Sequence, residues 1–308
     1  MTPAELKTFI RRTALALGFD DVGVARAQPM DEERDRLRAW LDRGLHGSMA
    51  YMANHFDKRL DPTLLVPGAK SVISFVHNYF PAERQPRDTY QVATYAYGRD
   101  YHKVLKKKLK KILHAVAGVQ GPVQGRIFTD SAPVMERQWA ARAGLGWQGK
   151  HTLLIHPRRG SYFFLAEWIC DLELPPDEPM SDHCGRCTRC IDACPTGAIA
   201  PEGYLLDASK CISYATIEHK GPLPDSVSGR LKDWVFGCDI CQEVCPWNRF
   251  ATPHSEPEFT PHPHLLTLSR RGWEEMTEEV FEEIFFGTPV KRAGYEGIRR
   301  NVKGAIIN

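Results

Sequence analysis

Apolar residues recur at helical spacing over residues 3–17. Leu6, Phe9, Ile10, Thr13, Leu15 and Leu17 fall mostly on one face, Pro3 opens the run and Gly18 closes it. The period then changes. Asp21-Val-Gly-Val-Ala25 reads as a short strand and residues 31–43 as a second helix stopped at Gly44. Ser71-Val-Ile-Ser-Phe-Val76, introduced by Pro67-Gly68, suits a buried strand. A longer helix is predicted from Tyr101 to Val116, with Val104, Leu105, Leu109, Ile112 and Leu113 as its inward stripe. Thr152–His156 and Ser161–Leu165 flank Pro157-Arg158-Arg159-Gly160 and predict a β-hairpin. Leu174–Met180 is a proline-rich, acidic joint, and the domain boundary is placed there. Residues 252–264 are rich in Pro and His and read as loop, 273–285 as helix, and the last residues as a further helix. His254, His262 and His264 lack regular ligand spacing and are expected in solvent.

The cysteines change this picture from an ordinary mixed fold to a redox protein. Cys184, Cys187, Cys190 and Cys194-Pro195 follow the spacing C-x2-C-x2-C-x3-C-P. Three thiolates two residues apart wrap one iron–sulfur cube, and the fourth, ahead of proline, ligates a neighbouring cube. An altered copy follows in Cys211, Cys238, Cys241 and Cys245-Pro246. Reciprocal pairing assigns Cys184, Cys187, Cys190 and Cys245 to cluster one, and Cys194, Cys211, Cys238 and Cys241 to cluster two. This uses eight of the nine cysteines and leaves Cys170, at the end of an apolar run, as a small buried hydrophobe. A pair of zinc sites is the alternative, but zinc prefers separated C-x2-C pairs or Cys/His mixtures.

The length of 308 residues predicts about two domains, and a formal charge of +2 says little about partners. No apolar run is long enough to span a membrane, and the first residues carry neither a secretory h-region nor a twin-arginine leader. A reducing cytoplasm is the expected home for so many thiolates. There is no G-x-G-x-x-G after a strand and no D-x-H-x-x-G, so neither a Rossmann nucleotide site nor histidine-ligated cobalt is indicated. The residues alone do not name the cofactor of the larger domain.

Its most suggestive segment is Gly125–Arg137, followed by Gly144-Leu-Gly-Trp-Gln-Gly149-Lys150-His151. Asp130 follows the apolar Ile127-Phe128 at a strand end, where ligand sites of α/β domains gather. The plainer reading is that Asp130 caps the helix after Pro133. Glu136 and Arg137 read equally well as partners of other side chains. The glycines suit a loop of unusual backbone angles or close approach to a ligand.

Asp130-Ser-Ala-Pro-Val-Met-Glu-Arg137, Gly144–His151, the cysteine motif and Cys211-Ile-Ser-Tyr-Ala-Thr-Ile-Glu-His-Lys-Gly221 together resemble the epoxyqueuosine reductases. The order and spacing match from Asp61-Pro62 onward. The resemblance implies an α+β fold: a nitroreductase-like α/β cobalamin-binding domain over 1–175, a bacterial-type two-[4Fe–4S] ferredoxin domain over 176–250, and a short helical end over 251–308. Many members continue into a HEAT-like helical tail where this sequence stops. The implied reaction removes the epoxide oxygen of epoxyqueuosine at the tRNA wobble position. Electrons pass from an external one-electron donor, such as flavodoxin or ferredoxin, through the clusters to cobalamin. Asp130 is the implied proton donor, kept protonated by desolvation beside the corrin. Arg59, Asp130, Lys150 and Ser213 are the implied cofactor contacts. For a monomer that grips an anticodon loop, Lys103, Lys106, Lys107 and Lys110 on the lysine helix, and Arg158 and Arg159, are the expected phosphate contacts. A merely solvated helix face is the alternative for the lysines. Lys291, Arg292, Arg299 and Arg300 are further candidates for RNA. A cobalamin-dependent reductive dehalogenase, a plain electron-transfer protein and a binding scaffold are the competing functions; the first should carry an export leader, and the second leaves the Asp130 segment without a purpose.

Overall fold

A computed structural model describes residues 1–306 of the chain. Helix α1 (Pro3–Ala16) starts in a capping box in which Thr2 and Glu5 exchange hydrogen bonds. Its buried face is Leu6, Ile10 and Ala14, whereas Leu15 points outward. Strand β1 (Asp21–Arg26), helix α2 (Asp31–Asp42) and the short helix α3 (Phe56–Leu60) lead to strand β2 (Ser71–Asn78). Then come β3 (Gln91–Val92), the lysine helix α4 (Tyr101–Gln120), β4 (Gly125–Phe128), α5 (Glu136–Arg142), β5 (Trp147–Gln148), β6 (Leu154–Ile155) and β7 (Phe163–Cys170). The main sheet has the order β1-β2-β7-β4, and all its pairs are antiparallel.

Both central strands are covered on both faces, so they read as apolar runs rather than alternating ones. Ile73, Phe75, Phe164, Ala166 and Trp168 face α1 and α4. Val72, Val76, Phe163 and Ile169 face the layer that contains Leu37 of α2 and Trp139 of α5. Ser74 and Glu167, paired in register, interrupt this second layer. Cys170 is fully buried, and burial pushes its thiol up to about 12, as suits a packing residue.

The hairpin expected around Pro157–Gly160 does not form. Leu154–Ile155 pairs back onto Trp147–Gln148, and a single bridge between His156 and Gly160 closes the turn. The apolar run from Phe163 gains more burial as a central strand between β2 and β4 than it would in a two-stranded ribbon.

The cysteine-rich part carries α6 (Arg189–Asp192), α7 (Ile212–Ile217), β8 (Trp234–Phe236) and α8 (Ile240–Glu243), and β8 pairs parallel with β3. The C-terminal part adds α9 (Pro263–Thr267), α10 (Arg270–Glu274), α11 (Glu278–Ile284) and α12 (Gly294–Ile306). The helix expected over 273–285 is two helices, because Thr277 accepts a hydrogen bond from the Val280 amide and starts a new one. The loop expected over 252–264 contains a tight turn at Pro257–Phe259, and α9 begins within it at Pro263. A third core joins Tyr90, Val92 and Tyr97 to Ile212, Phe236, Trp273, Phe281 and Val302. The segment around residues 90–97 therefore packs with the cysteine-rich part although it precedes the acidic joint.

Candidate active site

Folding brings the motif cysteines near one another. Burial and the nearby Cys245, Cys184 and Cys187 push the Cys190 thiol up to about 11. Burial raises Cys241 as well, together with Cys211, Asp239, Cys190 and Cys194. Cys238 feels Cys241 and Cys211, and Cys211 feels Cys194. Cys190, of the first assigned set, also acts on Cys241, of the second, so the two sets lie next to each other. Buried thiols that raise one another's pKa are ill at ease as a metal-free cluster, and a cationic metal core reverses that effect. None of the nine cysteines is in a disulfide.

A cavity of about 320 Å³ runs between the ferredoxin-like part and the loop after α5. Cys194, Cys211, Cys238 and Cys241 line one side, with Ser213 beside them, and Arg137, His151 and Thr152 line the other. Arg137 donates to the Thr152 carbonyl at 2.7 Å. Thr152 has φ 69°, an uncommon angle for a β-branched residue, so this loop holds local strain at the cavity wall. His151 Nδ1 accepts the Leu153 amide at 3.2 Å. Its Nε2 is therefore the protonated nitrogen, and it is buried without a partner. Burial first, then Arg137, depress His151 to about 4, so the ring is neutral. An orphaned N–H, a guanidinium and a hydroxyl around an apolar-walled cavity fit a ligand with polar groups on its rim.

Asp130 lies beyond the end of β4 with φ 54°, a left-handed angle that aspartate tolerates. It does not cap α5, whose N-cap position is Met135 with no side-chain cap. Tyr101, the first residue of α4, instead donates its hydroxyl to Asp130 Oδ2 at 2.7 Å, and His102 Nε2 lies 3.3 Å from the same oxygen. The other ring nitrogen of His102 is 2.7 Å from Asp100 Oδ1. Burial pulls His102 down, but the two carboxylates outweigh it and lift it to about 9. Burial pulls Asp130 up, and the hydrogen bonds from His102 and Tyr101, with the charges of His102 and Arg292, outweigh it and hold it below the usual range. The expectation that desolvation keeps Asp130 protonated is thus reversed: two donors face it, and the proton resides on His102.

Beneath Asp130 sits a second pair of carboxyls. Glu136 accepts the Asp130 amide hydrogen, and burial with the Asp130 charge pushes it up to about 8. Glu167 is fully buried, both of its oxygens lack partners, and burial with Glu136 raises it well above the carboxylate range. Burial favours the neutral form of both.

The other expected site residues divide. Ser213 lines the cavity. Arg59 donates to the Tyr51 carbonyl at 2.8 Å and the Asn54 carbonyl at 3.2 Å, bracing the rim loop before α3. Lys150 is turned away from the cavity: its ammonium reaches the carbonyls of Gly185 at 2.7 Å and Cys187 at 3.1 Å, holding the cluster-one loop. Lys106 lies 3.3 Å from Ser131 beside Asp130, Lys107 pairs with Glu258 at 3.7 Å, and Lys103 and Lys110 are exposed. Arg159 is paired with Asp20 at 2.8 Å near the β1 edge, and Arg158 is exposed beside it. The β1 and β4 edges are opposite ends of the sheet, so the two arginines and Lys106 do not share a patch. Arg292 pairs with Glu218 at 2.9 Å. Arg300 is used inside the fold, donating to the carbonyls of Ala215, His219 and Gly221. Sequence reasoning missed Tyr101, His102 and Glu167. The last had a signal, a lone acid in the apolar run Phe163–Cys170; the first two had none beyond their place at a helix start.

Comparison with known proteins is decisive for the family. The chain is 53% identical to an epoxyqueuosine reductase of Cellulophaga algicola over 95% of each chain. This chain belongs to the epoxyqueuosine reductase family. A Cyclobacterium marinum member is 54% identical over 95% of this chain and 94% of its own. Family models for epoxyqueuosine reductase QueG (DUF1730) and for a 4Fe-4S double cluster binding domain match residues 59–131 and 183–248. The second match spans all eight motif cysteines and the loop that Lys150 holds. The crystal structure of an epoxyqueuosine reductase with an epoxyqueuosine-modified tRNA-Tyr stem loop superposes with a TM-score of 0.89 at 32% identity, over 98% of this chain and 81% of that one.

Proposed function

We propose that this protein reduces epoxyqueuosine in tRNA to queuosine, opening the epoxide to an alkene and water at a cost of two electrons and two protons. The reading is carried by one observation: the Tyr101–Asp130–His102 unit packs, through the ring contact of Tyr101 with Tyr95, against a cavity that Tyr95 lines together with the cluster-two cysteines. Family membership at 53% identity favours it over a reductive dehalogenase. A bare electron carrier would need neither the unit nor the cavity.

The cavity residues fit cobalamin. Arg137, the orphaned His151 Nε2–H and Ser213 would hold the polar rim of the corrin. When bound, the cobalamin and the two [4Fe–4S] clusters supply the electrons. The chain's own groups manage the proton. Asp130 faces the departing oxygen and hands over a proton drawn from His102, which stays charged to about pH 9. Tyr101 fixes the carboxylate's orientation through its 2.7 Å bond. The neutral Glu136, bonded to the Asp130 amide, holds the backbone of this loop in place. Lys106, next to Ser131, contacts a phosphate of the anticodon loop, and the exposed Lys103 and Lys110 extend that contact.

The electrons come from an external one-electron carrier, and a reducing cytoplasm is the compartment that suits the thiolates. Among the described residues no helix is long and apolar enough to cross a membrane. The test is single turnover of epoxyqueuosine-tRNA by chemically reduced enzyme, followed by mass spectrometry of the nucleosides. Queuosine should appear, and its absence with full cobalamin and iron content would overturn the reading.

A further inference from the structure

A second concavity, of about 860 Å³, lies behind the catalytic cavity. The two share a wall. Tyr79, Ser161 and Gln242 line the cavity, while their chain neighbours Phe80, Tyr162 and Glu243 line the groove. Hydrogen bonds stiffen the wall: Gln242 donates to the Ser161 carbonyl at 3.0 Å, and Asn248 to the Gln242 carbonyl at 2.6 Å. Cys245, a ligand of cluster one in the reciprocal assignment, lines the groove, whereas the four cluster-two cysteines line only the cavity. The groove thus reaches one assigned ligand of cluster one, and the cavity reaches all four assigned ligands of cluster two.

The groove is basic. Arg84, Arg87, Arg189 and Arg249 line it against two carboxylates, Glu243 and Asp192. Glu243 is shared by Arg87 at 2.7 Å and Arg84 at 3.4 Å, and Asp192 accepts the Thr188 hydroxyl at 2.7 Å. Arg189 and Arg249 have no carboxylate partner among the described residues, and Arg186, in the cluster-one loop, is exposed nearby in sequence. Arg84 lies over the rings of Phe80 and Tyr162, and Arg249 over Phe250. A positive concavity with aromatic walls attracts and orients an acidic partner.

We propose that this arginine groove is the docking surface for an acidic one-electron carrier protein, which reduces cluster one beside Cys245. The proposal rests on the reductase reading above. Each docking event oxidises the carrier by one electron and reduces the cluster by one, so two events supply one turnover. RNA is the less favoured occupant. A substrate tRNA has to place its modified base at Asp130, and neither Asp130 nor its partners Tyr101 and His102 line the groove.

The test uses the cluster-loaded holoenzyme and an acidic flavodoxin as probe. Binding is measured by titration calorimetry at several salt concentrations, and cluster reduction by stopped-flow absorbance. The double variant Arg87→Glu with Arg249→Glu should weaken flavodoxin binding by about tenfold or more at low salt and slow cluster reduction in parallel. A control of equal charge change, Arg36→Glu with Arg271→Glu on exposed helix surfaces, should leave both unchanged. Iron content and reduction by dithionite report that the groove variant is folded and loaded. Unchanged flavodoxin affinity in the loaded groove variant overturns the proposal. So does a selective loss of tRNA stem-loop binding, which would give the groove to RNA. Failure of dithionite-reduced parent enzyme to convert epoxyqueuosine would instead fault the reductase reading itself.

Discussion

The Tyr101 hydroxyl donates to Asp130 Oδ2 at 2.7 Å, and this bond ties the first turn of the lysine helix to the loop beyond β4. It brings together residues 29 positions apart and makes Asp130 part of a hydrogen-bonded unit rather than a helix cap. Burial and the Asp130 carboxylate push the Tyr101 phenol up, so it remains a donor over the whole working pH range.

Asp130→Asn should preserve iron and cobalamin content and lower single-turnover conversion by about two to four orders of magnitude. Because Asp130 caps no helix, the stability lost in Asp130→Ala should come from its bonds to Tyr101 and His102 and should shrink as pH rises through about 9. Single-turnover kinetics on pre-reduced enzyme and thermal unfolding check the two halves separately. A near-parental rate for Asp130→Asn would pass the proton to another group.

His102 makes a prediction about pH. Its folded value of about 9 lies above its ordinary 6.5, so the stabilisation it brings is fully present below 6.5 and fades as pH rises through about 9. The single-turnover rate should fall on the same alkaline limb as His102 loses its proton. His102→Gln should lose about two orders of magnitude at neutral pH and show no such limb. A retained alkaline limb in that variant would assign it to another group.

Glu136 should reveal itself in stability. Its folded value of about 8 exceeds the ordinary 4.5, so its contribution is present at low pH and disappears as pH rises through about 8. Glu136→Gln mimics the neutral acid and can still accept the Asp130 amide. The parent's Tm should drop between about pH 4.5 and pH 8, and the variant's should drop less. Equal drops would show that Glu136 is ionised in the folded protein.

Cluster assignment is tested by iron analysis. Cys211→Ser should lose cluster two, and Cys170→Ser, which touches only the apolar core, should keep all the iron. Full iron in Cys211→Ser would contradict the ligand set.

The basic residues should separate by location. Lys106→Ala with Lys110→Ala should weaken stem-loop binding and reduce its salt slope by roughly 0.7–0.9 per lost phosphate contact. Arg159→Ala should change little, because that guanidinium is engaged with Asp20 at the far edge of the sheet. Filter binding across a salt series distinguishes the two. An unchanged slope in the lysine variant would leave that helix face to solvent.

Much of this protein was legible in the sequence because some of its chemistry is local. Ligand spacing around an iron–sulfur cube is set by a few consecutive residues, so the double-cluster domain could be read directly. Amphipathic period and capping residues are local as well, and α1, β1, α2, β2 and α4 emerged close to their expected bounds. The partner of each strand is not local. The expected hairpin gave way because Phe163–Cys170 gains more by burial at the centre of a sheet. The protonation of Asp130 was also a tertiary matter. Sequence placed an acid beside an apolar strand, and burial alone would have kept it neutral. Only the fold set Tyr101 and His102 against its carboxylate and Glu136 under its backbone, and the charges they bring reverse the sign of the shift. The sequence by itself determined that the chain carries a double-cluster domain over 183–248. The tertiary structure decided where the proton sits, because a pKa depends on every charge and dipole within a few ångströms, whatever its distance along the chain.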